Sequence, residues 1–394
     1  MIYVGIDVAK NKHDCFIMDQ LGEVHLEAFT FSNTRKGFDD FLAEVAKVQK
    51  ETNDDNVQIA LEATGHYSRN ILYFLLDRQF DIQIFNPLSV NLFRKATSLR
   101  KTKTDKIDAR VIATMLANPT SDGVKNFASK EQAELKELTR YRSRLSNSFS
   151  REKVQLVRLL DIIFPELASC VYSVHQKSIY KLLKNYPTTD KIVKARLATL
   201  TSLLSESSAG RHGKDKAIEL QEKARNSIGP SSKALSSEII SVISTIEHFE
   251  KQIAAVEADI NEIMDEMDSP ITTIKGIANR LGSIILAEIR DIKFFSSPSK
   301  LVAFAGLDPS IYQSGQHNSA GRMVKRGSAY LRWAIIEAAK RVAQYNSTFK
   351  AYLEKKLSEG KHYLVAISHV AKKLLRTIYY LLKNNEKFDP AKSV

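Results

Sequence analysis

The 394-residue chain is 43% hydrophobic and 26% charged, ordinary values for a soluble globular protein and enough length for two or three domains. Its 58 Lys and Arg against 45 Asp and Glu leave a net charge of +13 and a pI near 9.4, which points to a polyanionic partner, most commonly nucleic acid. The basic residues are spread over several segments rather than gathered on one amphipathic helix, which argues against a membrane surface. No apolar run approaches the roughly 18 residues of a membrane span, and the opening MIYVGIDVAKNK lacks the apolar core of a signal peptide. Cys15 and Cys170 stand far apart without CxxC or His spacing, which argues against a zinc site or disulfide framework and suits a reducing cytosol. A soluble intracellular protein is expected.

In chain order, IYVGIDVA, HDCFIMD and GEVHLEAFTF read as three strands joined by short turns, an antiparallel meander. TRKGFDDFLAEVAKVQ has helical spacing, with Phe38, Phe41, Leu42, Val45 and Val48 on one face. VQIALE reads as a buried strand, SRNILYFLLDRQ as a helix, DIQIFNP as a strand stopped by Pro87, and KIDARVIATMLA as a helix. The order β-β-β-α-β-α-β-α-α predicts a mixed sheet with helices on its faces. From about 127 to 268 the pattern turns to long helices. Two of over 30 residues, far apart in sequence, predict an antiparallel coiled coil. GRHGK, between them, is rejected as a phosphate loop because its glycines are too close and Asp215 replaces the needed Ser or Thr. From 269 on, a turn-helix pattern around Gly276 and Gly282 leads to a Gly/Ser loop, YQSGQHNSAG, and then to two basic helices. Trp333, the only Trp, and Tyr330 read as packing residues.

Four acids fall where strands end or helices begin. Asp7 closes the first strand, Glu62 closes VQIALE, and Asp105 and Asp108 share one face near the start of a helix. Four converging carboxylates repel one another unless divalent cations neutralise them, and hard oxygen ligands favour Mg²⁺ or Mn²⁺, the ions of phosphoryl transfer. Around the last two acids stand seven cations (Arg94, Lys95, Arg100, Lys101, Lys103, Lys106 and Arg110), suited to a phosphate backbone. The plainer alternatives are an N-cap for Asp105 with Asp108 in the first turn, and an ordinary strand-end acid for Glu62. The GID of sugar kinases and actin-like ATPases expects Gly and Thr or Ser next, whereas Val8-Ala9-Lys10 follow here.

Five blocks occur in one order: GIDVAKNKHD, LEATGHY, NPLSVNLFRKATSLRKTKTDKIDARVIA, ITTIKGIANRLGSIILAEI and LVAFAGLDPSIYQSGQHNSAGRMVKRGSAYLRWAI. Together they resemble the DEDD transposases of the Insertion Sequence 110 family, which are related to pilin-gene invertases. The resemblance reaches both ends of the chain, while about 130–265 matches only in being helical. It implies an α/β plus α protein in three parts. These are a RuvC-like (RNase H-like) catalytic domain at 1–126, a helical coiled-coil domain at 127–268, and a mainly helical transposase domain at 269–394.

The resemblance also implies that Asp7, Glu62, Asp105 and Asp108 form the DEDD set and hold Mg²⁺ or Mn²⁺. The SG serine, Ser314, would be the nucleophile that forms a covalent phosphoserine link to DNA, completing a composite centre; Ser310 and Ser319 are the neighbouring alternatives. Arg322, Lys325, Arg326 and Arg332 would bind the nucleic-acid backbone. The implied partners are donor and target DNA, a noncoding guide (bridge) RNA from the element, and further copies of the chain in a dimer or dimer of dimers. The implied setting is the nucleoid of a prokaryotic cytoplasm, with no membrane. The competing readings are a RuvC-like junction nuclease using metal-activated water, which has no need of SGQHNSAGRMVKRG, and a nonenzymatic nucleic-acid-binding assembly protein, against which the complete set of four acids counts.

Overall fold

A computed structural model describes residues 1–63, 65–97, 105–119, 123, 130–314 and 317–390; at 28, 105, 106, 130, 310–314 and 317–322 it describes the backbone alone. The chain divides into two units, Met1–Phe127 and Ala128–Val394.

In the first unit β1 (Ile2–Val8), β2 (Lys12–Asp19) and β3 (Val24–Ser32) form the expected antiparallel meander. Then follow α1 (Arg35–Thr52), β4 (Val57–Glu62), α2 (Ser68–Leu76), β5 (Asp81–Phe85), α3 (Pro87–Thr97) and α4 (Asp105–Ala117). The five strands lie in the order β3-β2-β1-β4-β5, with β1, β4 and β5 parallel. Side chains alternate across a strand. In β1, Ile2, Val4, Ile6 and Val8 enter a core with Phe38, Phe41, Val45 and Val48 of α1 and Ile71 and Leu75 of α2. Each such buried side chain contributes about 1.5–3 kcal/mol. Thr34 caps α1 by accepting from the Gly37 N–H at 3.2 Å. The opposite face of β1, with Tyr3, Gly5 and Asp7, is left for α4.

In the second unit α5 (Lys130–Ile163) and α11 (Lys233–Met267) lie side by side. Arg142 pairs with Glu257 and Arg158 with Glu238, so the two helices run antiparallel. Between them in sequence, α6 (Leu167–Cys170), α7 (Lys177–Asn185), α8 (Thr189–Lys194), α9 (Leu197–Ser207) and α10 (Lys214–Arg225) fold into a head. Its core takes Leu156, Leu159, Leu160 and Ile163 from α5 and Ile239, Val242, Ile243 and Ile246 from α11. The other ends of the long helices, with Leu135, Leu145, Val256, Ile260 and Met264, enter a second core. That core holds α12 (Asn279–Ile289), α13 (Pro298–Phe304), α14 (Ala329–Tyr345), α15 (Ser347–Ser358) and α16 (Tyr363–Asn384).

The stretch read as a Gly/Ser loop is instead a hairpin, β6 (Pro309–Ser314) and β7 (His317–Met323). Its polar residues lack the apolar alternation that marks a strand in sequence. Trp333 also departs from expectation, being 46% exposed rather than packed.

Candidate active site

In the first unit strand register sets two of the expected acids, Asp7 and Glu62, side by side, whereas the ligand atoms of Asp7, Glu62 and Asp108 do not gather within 4.8 Å of one another. Asp7 lies two residues beyond Gly5 and so on the same face. Ile6 pairs with Leu61, which sets Glu62 beside Asp7 where the parallel strands end. Over this face lies α4, so close that a Cβ on Gly5 would fall 2.2 Å from the Ala109 carbonyl oxygen and 2.4 Å from the Ala113 nitrogen. Ala109 and Ala113 pack on Phe16 and Met18 of β2, with Tyr3 and Ala117 at the rim. The first turn of α4 therefore lies toward the Asp7 end. Asp108, in that turn, is 8% exposed and receives Arg94 Nη1 at 3.1 Å; Arg94 Nη2 donates to Asn91 Oδ1 at 2.9 Å. Asp105 opens the helix, and its side chain lies outside the described residues.

A further acid, missed in the sequence, belongs to the same face. Asp14 of β2 stands directly opposite Asp7 and is 4% exposed. It accepts from Thr30 Oγ1 and lies 3.7 Å from Lys12 Nζ. Thr30, Asp14 and Asp7 thus form a row across β3, β2 and β1, with Glu62 next on β4. The available signal was an acid in the middle of the alternating HDCFIMD, one of the more buried strands of the sheet. A separate cluster, Asp19, Glu23 and His25, gathers its ligand atoms within 4.8 Å of one another. It sits where Asp19 pairs with Ile2, about 17 Å along the strand from Asp7. Its Asp19 carboxylate accepts the Leu21 and Glu23 N–H groups, which is what closing the β2–β3 turn requires.

In the second unit Ser314 ends β6 opposite His317; its side chain, like those of Ser310, Ser319 and Arg322, lies outside the described residues. The hairpin leads into a loop built on backbone bonds. Val324 N–H donates to Asp308 O, Lys325 N–H to Gly306 O and Ser328 N–H to Phe304 O, at 3.0, 3.2 and 2.9 Å. Gly306 and Gly327 have positive φ, and a Cβ on either would strike a carbonyl oxygen at 2.2 or 2.1 Å. Arg332 Nη1 donates to the Ala305 and Lys325 carbonyls at 3.2 Å each, which makes it a pin beneath the loop. Lys325 and Arg326 stand exposed on this fixed base.

The far end of the loop is tied down by charge. Glu288, 2% exposed, accepts Arg140 Nε at 2.9 Å and Nη2 at 3.2 Å, and Ser328 Oγ at 2.7 Å. Lys136 Nζ lies 3.8 Å away. Burial pushes the Glu288 carboxyl up, but the Arg140 hydrogen bond, the Lys136 charge and Ser328 outweigh it and hold the group below the usual carboxylate range. Burial also brings Lys136 down to about 8, although Glu288 opposes the shift. Of the remaining expected cations, Lys95 is exposed at the end of α3. Arg100, Lys101 and Lys103, and the side chain of Lys106, lie outside the described residues.

Comparison with known proteins defines the class to which the chain belongs. Residues 4–165 match the IS110 DEDD transposases, and residues 268–354 match the transposases of the IS116/IS110/IS902 family. The protein is a transposase. The chain belongs to the IS110 family. It is 25% identical over 396 residues to the pilin gene-inverting protein of Moraxella bovis, covering 98% of this chain and 97% of the relative. It is 23% identical over 397 residues to the IS116 insertion element's uncharacterized 44.8 kDa protein from Streptomyces clavuligerus, covering 100% and 97%.

Proposed function

We propose that the chain cleaves and rejoins DNA, with Asp7, Glu62, Asp105 and Asp108 holding Mg²⁺ or Mn²⁺ and Ser314 as the nucleophile. The observation that supports this reading is the placement of Asp7 and Glu62, one residue beyond the Ile6–Leu61 pair at the ends of β1 and β4, on the face covered by the helix whose first turn bears Asp105 and Asp108. The donor chemistry suits a hard divalent ion, since the residues offer carboxylate oxygens and Asp14 stands opposite Asp7, and binding would draw the acids closer than they lie in the metal-free chain. Such an ion, when bound, supplies charge neutralisation at the phosphate and lowers the pKa of a coordinated oxygen nucleophile. Arg94 holds the Asp108 carboxylate in place until then through a contact of 3.1 Å.

Ser314 Oγ attacks a DNA phosphorus, and the P–O bond to a deoxyribose oxygen breaks. The serine gives up its proton and the departing oxygen gains one. Attack by a deoxyribose hydroxyl on the phosphoserine reverses the step and joins a new strand. Lys95, Lys325 and Arg326 grip phosphates without reading sequence. Site choice falls to a guide RNA from the element, a division of labour that the net charge of +13 supports.

The test is substitution under metal control. Alanine at any one of Asp7, Glu62 or Asp105 should abolish strand transfer while thermal melting and RNA binding hold, and Asp108→Ala should abolish it too with some loss of melting temperature, because it leaves Arg94 unpaired. Neutralising one of several crowded acids relieves repulsion in the metal-free protein. Chelation should silence the wild type, and Mg²⁺ or Mn²⁺ should restore it. Near wild-type recombination by two of the four variants would overturn the assignment.

A further inference from the structure

A cleft of about 510 Å³ opens in the second unit between residues 272–281 and one face of α14. Its α14 wall is Trp333, Glu337, Arg341 and Tyr345, spaced four apart and therefore stacked on one side of the helix. The buried side of α14 uses different residues, Leu331, Ala334, Ile335, Ala338 and Val342. The aromatic stripe is thus not required by the core, and Trp333 and Tyr345 are 46% and 60% exposed.

Lys275 and Arg280 complete the lining from the opposite wall. Glu337 is paired with Lys340 at 2.6 Å, whereas Lys275, Arg280 and Arg341 make no ion pair among the described residues. The cleft therefore presents three uncompensated cations and two open aromatic rings. Gly276, with φ +109°, lets the 275–278 backbone press onto α14, since a Cβ there would lie 2.9 Å from the Val342 nitrogen. This fixes the distance between the two walls. A cation-rich, aromatic-lined groove matches a ligand that is both anionic and planar, and stacking with backbone neutralisation is how unpaired nucleotides are held. A duplex, whose bases are already stacked, offers no free ring face to Trp333 or Tyr345.

We infer that this cleft binds an unpaired nucleotide of a single strand. Its base lies on Trp333 and Tyr345, and its phosphates meet Lys275, Arg280 and Arg341. The inference rests on the nucleic-acid reading above and adds to it a single-strand site on residues outside the DEDD set and the serine hairpin. The strand is either DNA opened during exchange or the guide RNA, and the experiment separates the two.

Trp333 is the only Trp of the chain, so fluorescence excited at the red edge, where the 14 Tyr do not absorb, reports this cleft alone. The full-length chain is titrated with a 12-nucleotide oligo-dT, the matching oligo-U, and a duplex of the same length, at fixed salt. Stacking should quench Trp333 with a single strand and leave it nearly unchanged with duplex. The oligomer that quenches at lower concentration identifies DNA or RNA as the source. By anisotropy with a labelled oligomer, Tyr345→Ala and Arg341→Ala should each weaken single-strand binding by about tenfold or more. Both positions lie on the outer face of α14, and unchanged melting temperatures establish that the variants are folded. Asp7→Asn should lose strand transfer and keep the quench, so failure of the catalytic assignment and failure of this one are separable. Equal quenching by duplex, no quenching at all, or wild-type anisotropy in both variants would overturn the inference.

Discussion

Gly5 shows how one residue sets the seating of α4 on the sheet, and so the geometry of the proposed site. Its missing side chain admits the Ala109–Ala113 turn of α4, and that contact holds the acidic first turn of the helix near Asp7 and Glu62. The clashing atoms in Gly5→Ala are backbone, so no rotamer change relieves them, and α4 must withdraw. The cost should be about 1–3 kcal/mol, with strand transfer falling by more than stability alone explains. Urea midpoints together with a recombination assay check this, and a variant equal to wild type in both would contradict it. At this scale Asp7 and Glu62 were legible in the sequence because an acid at the polar end of an apolar run needs a reason. Asp14 was not legible: alternation does not reveal that both faces of β2 are covered, so nothing in HDCFIMD set this acid apart. The Arg94–Asp108 pair was equally hidden, because it depends on α3 and α4 meeting across residues 98–104.

Among the elements, the buried Glu288 network joins α5, α12 and the start of α14, and so fixes the exit of the basic loop. Arg140→Ala should destabilise the second unit more than Glu288→Gln does. Loss of Arg140 leaves a carboxylate at 2% side-chain exposure without its fork, at a cost of about 3 kcal/mol or more, whereas Arg140, at 36%, turns to water when Glu288 is neutralised. The pH dependence follows from the sign of the shift. Glu288 titrates lower in the folded chain than when unfolded, so its stabilisation is complete above the ordinary carboxylate range and is lost as pH falls through the folded value. Melting temperatures from pH 7 down to 3 should therefore drop less steeply in Glu288→Gln than in wild type, and parallel curves would contradict the account. Element type and order through α4 were readable because apolar spacing of 2 or 3.6 dominates there. The β6–β7 hairpin was not: HNSAGRM carries too little apolar alternation for periodicity to register, and only main-chain pairing defines it.

For the whole molecule, a charge of +13 and the transposase family together frame the chain as one that works on nucleic acid. Exchange involves two duplexes, so the working species should be a dimer or a dimer of dimers. Val154 and Tyr141 are exposed apolar residues of α5, 71% and 37% open, on a helix already well packed on its inner side. Light scattering with RNA and both DNAs present should give two or four copies, and a monomer would refute this. The antiparallel run of α5 and α11 was legible from two long apolar stripes. The stretch between them was legible as helical, but its folding into a head of five short helices was not, since those helices take their stability from packing on Leu156–Ile163 and Ile239–Ile246. The central claim, a serine that forms the covalent link, is tested most directly on a denaturing gel of labelled DNA incubated with protein, RNA and Mg²⁺. Wild type should show cleaved strand and a protein–DNA adduct, as should Ser310→Ala and Ser319→Ala. Ser314→Ala should bind RNA and DNA yet show neither product. Normal cleavage by Ser314→Ala would contradict the account: with one of the neighbouring variants inactive, the nucleophile is that serine, and with all three active the attacking oxygen comes from water.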